Sequence, residues 1–538
     1  MRVLLKNYLA IIAVVCFLPG AIMAVTGEIV NRYATPGSCP TGLAFDGKNI
    51  WLADRKSDSL YKIDRLSGNI LESQPAPGYQ VEGLAWEKDH LWLLDVEEGE
   101  ILRLNPGTQI VDRAFPAPCA RPQELAWDGQ YLWVADYRGK ALYQISTDDG
   151  TTIKEIPAPS VSSYGLAYDG HYLWVADRFD DKIYMVYPEN GDVILTFGSP
   201  ANFPRGLAFD GEYLWNVDYQ TDSLYQIRIH DDQKFSATDG KKEELELTHQ
   251  FRNYGPGEVI QLEIYLALPH DLPSQKLLDS LTFTPQPSDF KTDRWGQKVA
   301  RFHYENLLPG RTVSVTMKAK AELYKTRYFV FPEKAGTITE IPDDVRKQYL
   351  GNDTKYWVND PYIQKTACEV VGDEKNCYWI ARRLFDYLID KMEYELVGGW
   401  NVAPTVLKRG TGSCSEYSFV YIALCRASGL PARYAGSVAV RGDDASTDDV
   451  FHRWVEVFLP HYGWIPVDPS GGDSKYPAAQ ASAFGYLNNC YLITTLGGGS
   501  SEYLEWNYNS NETWQSRGPC KTYSECIGEW SPLIETGN

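Results

Sequence analysis

The chain has 538 residues, of which 44% are hydrophobic and 23% charged, with a net charge of -20. That length excludes one ordinary core and predicts two to four domains. The composition excludes disorder, and the negative balance argues against nucleic acid, whose phosphates would be repelled.

Residues 1–24 read as an export signal. Arg2 and Lys6 precede an apolar run from Tyr8 to Leu18, Pro19-Gly20 breaks it, and small residues lead to a cleavage site after Ala24. The expected location is secreted or periplasmic. An uncleaved anchor is the alternative, because Tyr8 to Val25 is nearly long enough to cross a bilayer. No membrane span is expected after signal removal. Of ten cysteines, Cys16 leaves with the signal. Setting Cys414 aside as a free nucleophile leaves an even number, which suits disulfides in an exported protein, with Cys368–Cys377 and Cys520–Cys526 as the expected short-loop pairs. The eight histidines are scattered and no Cys-x-x-Cys occurs, so neither a metal site nor a cofactor is expected.

From 25 to 235 a repeat dominates. Trp51, Trp92, Trp133, Trp174 and Trp215 stand 41 residues apart, and Asp54, Asp95, Asp136, Asp177 and Asp218 follow them by three. Short apolar runs between Asp-Gly or Gly-rich turns predict about four strands per copy, the size of a β-propeller blade. The stretch from Glu28 to Tyr33 is similar to the last strand of a copy, and the fifth copy lacks that strand. The N-terminus therefore completes the final blade, giving five rather than six. Residues repeated five times read as scaffold. Positions that differ between copies, Thr41, Glu82, Gln123, Tyr164 and Arg205, are candidates to line a binding surface at one mouth of the ring. The Gly-Leu-Ala-Phe-Asp-Gly and Leu-Trp-Val-Ala-Asp runs resemble NHL-like and glutaminyl-cyclotransferase-like propellers, a likeness that carries no active residue across.

Between 240 and 335, alternating runs such as Leu245 to Phe251 and Val313 to Met317 predict a β-sandwich. Leu266-Ala267-Leu268-Pro269 and Asp293-Arg294-Trp295-Gly296 resemble the domain that precedes the catalytic core in many bacterial transglutaminase-like proteins. Residues 340–500 read as an α+β catalytic domain, opening with helix from about Pro361 to Tyr394, and 501–538 as a C-terminal extension.

Within that domain three side chains carry chemistry. Ser413 to Ser428 predicts a helix with Ser413 as cap, Glu416 reaching back to it, and Gly429 and Pro431 ending it. Cys414 then occupies the first turn, where free N–H groups and the helix dipole stabilise a thiolate. Cys425, three turns on, is too far to bridge it and reads as core or a distant disulfide partner. Val450 to Leu459 alternates as a strand that puts His452, Trp454 and Glu456 on one face. A turn centred near Pro460 returns Trp464 to Asp468 antiparallel, so that His452 faces Asp468 directly; a shift by two keeps the faces matched. Asp468 then fixes the imidazole tautomer. His461 reads as exposed, Glu456 as a packing or hydrogen-bonding residue and Trp454 as a cleft wall. Trp400 offers an indole N–H as an oxyanion donor, and the backbone N–H of Cys414 is the more economical one.

Gly412-Ser413-Cys414-Ser415-Glu416-Tyr417, Gly429-Leu430-Pro431-Ala432-Arg433-Tyr434, His452-Arg453-Trp454-Val455-Glu456-Val457 and Gly463-Trp464-Ile465-Pro466-Val467-Asp468 resemble the transglutaminase-like superfamily, built on a papain-like fold. The resemblance assigns nucleophile, base and orienting roles to Cys414, His452 and Asp468. It implies acyl transfer through a thioester on protein or peptide substrates, with a slight lean to proteolysis over crosslinking or deamidation. The propeller is expected to bind a macromolecular partner near the thiol site. A propeller-based binding protein with an idle thiol site is the competing reading. Deleting residues up to about Arg228 is expected to weaken macromolecular turnover while sparing a small thiol probe.

Overall fold

A computed structural model describes residues 25–229, 233–396, 400–442 and 446–533. The export-signal reading at 1–24 lies outside the described residues. The chain is mostly β, with five small four-stranded antiparallel sheets first, then a nine-stranded sheet and a helical segment packed on a further four-stranded sheet.

The innermost strands of the five small sheets are Pro40–Phe45, Val81–Glu87, Pro122–Trp127, Ser163–Tyr168 and Pro204–Phe209. Each touches the next, and the fifth touches the first, so the sheets stand around a common axis in a propeller-like array. Ile29–Ala34 pairs with Ser223–Arg228 as the outer strand of the fifth sheet. The repeated residues make the scaffold. Each repeated tryptophan is at most 1% exposed, and its indole N–H donates to a carboxylate five residues earlier, as in Trp174 to Asp169 at 2.8 Å and Trp215 to Asp210 at 2.9 Å. Each repeated aspartate accepts backbone N–H groups of the turn that follows; Asp218 takes those of Gln220 at 3.0 Å and Thr221 at 2.8 Å. The turns need these acceptors because their amides have no ladder partner.

The region expected to be a sandwich is one continuous nine-stranded sheet. The 33-residue strand Phe235–Ala267 pairs with Thr312–Tyr328 along its first half and Lys298–Leu307 along its second. Both halves bury Leu245, Phe251, Leu262, Ile264, Phe302 and Met317 in one core. Residues 501–538 are not a separate appendage in what the structure describes of them: Ser510–Pro532 runs antiparallel to the long strand from Leu266 back to Glu243. This excludes a Cys520–Cys526 bridge, because six residues along one strand separate the two by ~20 Å, far beyond disulfide reach. All nine described cysteines are free. Cys368 and Cys377, the other expected pair, are both free.

The helix expected over 361–394 is two helices, Pro361–Val371 and Cys377–Lys391, interrupted at Gly372 with φ 60°. They pack with Ala403–Arg409 and Cys414–Ala427 on a sheet ordered Gly463–Val467, His452–Leu459, Ala432–Ala439, Tyr491–Gly497. This unit and the fourth and fifth small sheets share one apolar core. Trp174, Met185, Ile194 and Ile227 belong to the same buried cluster as Tyr378, Phe385 and Phe484. Across that junction Arg382, 1% exposed, pairs with Asp192 at 3.2 Å and Asp386 at 3.0 Å. Ala481, from the short helix Pro477–Ala481, is buried among residues of the third and fourth sheets.

Candidate functional site

The helix Cys414–Ala427 begins at Cys414 with Ser413 as N-cap. As expected, Glu416 reaches back, accepting the Ser413 N–H at 3.3 Å; it also takes the Asn401 N–H at 3.0 Å and Arg409 at 2.7 Å. Glu416 therefore holds the helix start against two neighbouring segments. Cys414 sits there, 8% exposed, its N–H beyond the reach of any intrahelical acceptor.

His452 opens the strand His452–Leu459 rather than lying two residues inside it. Phe451 before it has φ 60°, a left-handed conformation that breaks the ladder and is costly for a bulky residue. Asp448 holds it there. This fully buried carboxylate accepts the N–H groups of Phe451 at 2.9 Å and Ala439 at 2.7 Å, and the Arg441 guanidinium at 2.6 Å; Arg441 also donates to the Phe451 carbonyl at 2.9 Å. Replacing Asp448 with alanine leaves buried amides without acceptors and should cost about 3 kcal/mol. It should also swing His452 from the thiol. A urea midpoint together with thiol alkylation at acid pH reads both effects.

The hairpin register differs by two from direct pairing. Leu459 faces Gly463 and Val455 faces Val467, which centres the turn on His461, not Pro460. The three-residue loop closes on Gly463 at φ 84°. The faces still match, and His452 Nε2 meets Asp468 Oδ2 diagonally at 2.7 Å. Asp468 is itself held by the Gly471 N–H at 2.9 Å and the Ser470 hydroxyl at 2.7 Å. The other imidazole nitrogen is left for the Cys414 thiol, which His452 holds below its ordinary value. Trp454 and Tyr491 flank the imidazole, with ring centroids 5.7 and 5.5 Å away.

Burial alone would raise the Cys414 thiol, but the hydrogen bond and charge of His452, the Arg453 N–H and the Arg453 guanidinium hold it below its ordinary value. Burial likewise opposes protonation of His452, yet the Asp468 charge and the bonds to Asp468 and Cys414 raise it to about 10. The arrangement favours thiolate beside imidazolium, the form in which the sulfur is a nucleophile and the ring a proton donor. Elsewhere burial pushes thiols up, Cys119, Cys377 and Cys526 to about 12, and Cys425 likewise upward in the helix core.

Several residues take roles the sequence left open. Glu456 pairs with Arg433 at 2.7 Å and so is structural. His461 is 57% exposed and meets Glu340 at 3.2 Å. Trp400 packs its ring 5.0 Å from the Arg453 guanidinium. Arg453 itself was missed. It is fully buried, with Trp400, Phe419, Tyr434 and Tyr508 around it at 4.4–5.2 Å. Only Nη2 finds a hydrogen-bond acceptor, the Trp506 carbonyl; Nε and Nη1 have none. The sequence did hold a signal, a charge at the strand parity where Val455 and Val457 are core. Among the described residues no group of three or more His, Cys, Asp or Glu side chains could hold a metal. Two clefts flank the site. One, about 180 Å³, is lined by His452, Trp454, Asp468 and Tyr491; the other, about 350 Å³, by Trp400, Phe451, Tyr508 and Glu512.

Residues 364–469, which contain Cys414, His452 and Asp468, match the family model for the transglutaminase-like superfamily. The chain carries a transglutaminase-like domain. That superfamily is one of thiol-dependent enzymes, commonly cysteine peptidases or acyltransferases. The uncharacterized protein YebA of Bacillus subtilis (strain 168) is 23% identical over 215 residues, 31% of this chain and 28% of YebA, so the match spans under a third of that relative. Among solved structures, a candidate cysteine protease from Cytophaga hutchinsonii aligns with TM-score 0.39 and 15% identity, over 56% of this chain and all of its own. Glutaminyl cyclase of Myxococcus xanthus aligns with TM-score 0.33 and 13% identity, over 38% of this chain and 97% of its own. Virginiamycin B lyase of Staphylococcus aureus aligns with TM-score 0.27 and 15% identity, over 37% and 99%.

Proposed function

We propose that the chain is an exported thiol-dependent acyl-transfer enzyme acting on amide bonds of protein or peptide substrates, with Cys414, His452 and Asp468 as its triad and a leaning to hydrolysis. The observation that carries this reading is the thiol at a helix start, held below its ordinary value by an imidazole that Asp468 holds at 2.7 Å. The Cys414 sulfur attacks the amide carbon and forms a C–S bond while the carbonyl becomes an oxyanion. The Cys414 N–H is a donor for that oxyanion. Collapse breaks the C–N bond, and His452 gives its proton to the departing amine. Water then attacks the thioester, returning a proton through His452 and releasing the acid; an amine in place of water gives a crosslinked product. In this reading the five small sheets form a five-bladed propeller that recognises a macromolecular partner.

Incubation with a protein substrate plus a labelled primary amine separates the outcomes. New chain termini without incorporated label are expected. Incorporated label without new termini would replace hydrolysis by transamidation. Neither product, with Cys414 inert to alkylation in the folded protein, would leave the chain a binding protein.

A further inference from the structure

Five-fold repetition makes departures from the repeat informative, and they gather at one end of the ring. The innermost strand of each sheet starts beside the end of the second, as Pro40 pairs with Asp54 and Pro204 with Asp218. Residues just inside the first strand, Glu82, Tyr164 and Arg205, therefore meet residues just after the repeated aspartate, Arg55, Tyr137, Arg178 and Tyr219.

These side chains form one connected group. Arg55 and Arg205 both pair with Glu82, the former at 3.2 Å. The Arg205 guanidinium lies between the rings of Tyr164 and Tyr219, at 4.8 and 5.5 Å. The Arg178 guanidinium lies between Tyr164 and Phe203, at 5.3 and 4.9 Å. Tyr137 packs on Tyr164 with ring centroids 5.0 Å apart. Two features have no internal explanation. The Arg205 side chain is 8% exposed, yet its Nε has no hydrogen-bond partner. Arg178, half-buried, has no ion-pair partner among the described residues. Glu124 lies under the group, 1% exposed and bonded to the Leu84 and Leu125 amides at 2.6 and 3.2 Å. Burial pushes its carboxyl well up, toward the neutral form. Arg55, Arg178 and Arg205 thus bring three guanidiniums to this group, and Glu82 pairs with two of them, Arg55 and Arg205.

We propose that this mouth of the ring binds a carboxylate-bearing peptide segment, with the Arg178 and Arg205 forks receiving the carboxylates and Tyr137 and Tyr219 flanking the backbone. A guanidinium held flat between rings keeps its N–H fork pre-aimed, and that fork matches a carboxylate in plane. The guanidinium forks are few and local, while a chain of net charge -20 repels a long polyanion, which favours a short acidic peptide over nucleic acid. The inference rests on the recognition role proposed above for the propeller and is independent of the thiol chemistry. Peptide binding tests the one and Cys414 alkylation the other.

The test uses the full chain and fluorescence anisotropy of labelled oligoglutamate, oligoglutamine and a single-stranded oligonucleotide of equal length. Oligoglutamate is expected to bind, more weakly as salt rises. Arg178→Ala should weaken it about tenfold or more, with Arg178→Lys in between. If the alanine variant loses the wild-type urea midpoint, Arg178→Gln, which keeps a side chain over Tyr164, replaces it. Equal binding of glutamate and glutamine peptides, wild-type affinity in the Arg178 variants, or tighter binding of the oligonucleotide would each overturn the proposal.

Discussion

At pH 6, iodoacetamide should alkylate Cys414 of the native protein stoichiometrically, and His452→Ala should slow that reaction by more than 100-fold. An ordinary thiol with a pKa of ~8.5 is only about 0.3% ionised at that pH. Cys414 is held below its ordinary value by His452 and Arg453, so its thiolate persists as pH falls until that lowered value is crossed. Without the imidazolium, burial pushes the thiol the other way. Burial raises Cys119, Cys377 and Cys526 to about 12, which removes them from the reaction. Cys368 is exposed and is best replaced by serine throughout. The sign at the upper limb follows from His452. Its proton is bound below about pH 10 and lost above, so turnover, which needs that proton for the leaving amine, should decline as pH rises through about 10 while alkylation does not. Asp468→Ala should pull that limb to lower pH. A Cys414 that labels no faster at pH 6 than a free cysteine in a small peptide would remove the ion pair, and with it the acyl-transfer reading.

A chain starting at residue 233 should fail to fold, whereas sequence reasoning expected such a deletion to spare a small thiol probe. The shared core decides the difference. Deletion strips Trp174, Met185, Ile194 and Ile227 from the cluster that buries Tyr378, Phe385 and Phe484. It also exposes Trp379, whose ring sits 4.5 Å from Tyr187. Uncovering half a dozen such side chains costs on the order of 10 kcal/mol, comparable with the whole stability of a domain. Arg382 would lose Asp192 and the Val193 carbonyl, keeping Asp386 alone. Expected readouts are an insoluble or dye-binding product without cooperative urea unfolding and without alkylation at pH 6. Arg382→Ala in the full chain is the milder version, costing about 3 kcal/mol for a broken buried pair. A truncated protein that unfolds cooperatively and alkylates at the native rate would show the two parts to be independent.

The comparison of sequence with structure has a physical pattern. Trp51 through Trp215 were legible because the same contact is solved five times, and repetition separates signal from accident. His452 and Asp468 were legible because strand parity is preserved under a register error; the turn is centred one residue later than expected and the faces still meet. Asp448 and the Phe451 conformation were not, since a left-handed residue before a strand leaves no periodic trace. The pairing of Ser510–Pro532 with a strand 244 residues and more upstream was equally hidden, because no local pattern encodes so distant a partner. Arg453 and Arg382 were visible in retrospect as charges at core positions of a strand and a helix.

That distant pairing bears on when the cleft beside Cys414 is complete. Tyr508, which packs on Arg453 at 4.4 Å and lines the cleft beside the thiol, lies two residues before the strand that pairs with 243–266. Those residues leave the ribosome after Cys414, His452 and Asp468. A nascent chain thus holds Cys414, His452 and Asp468 before it holds the wall that packs on Arg453. The cleft wall beside Cys414 can therefore close only after synthesis has passed residue 532.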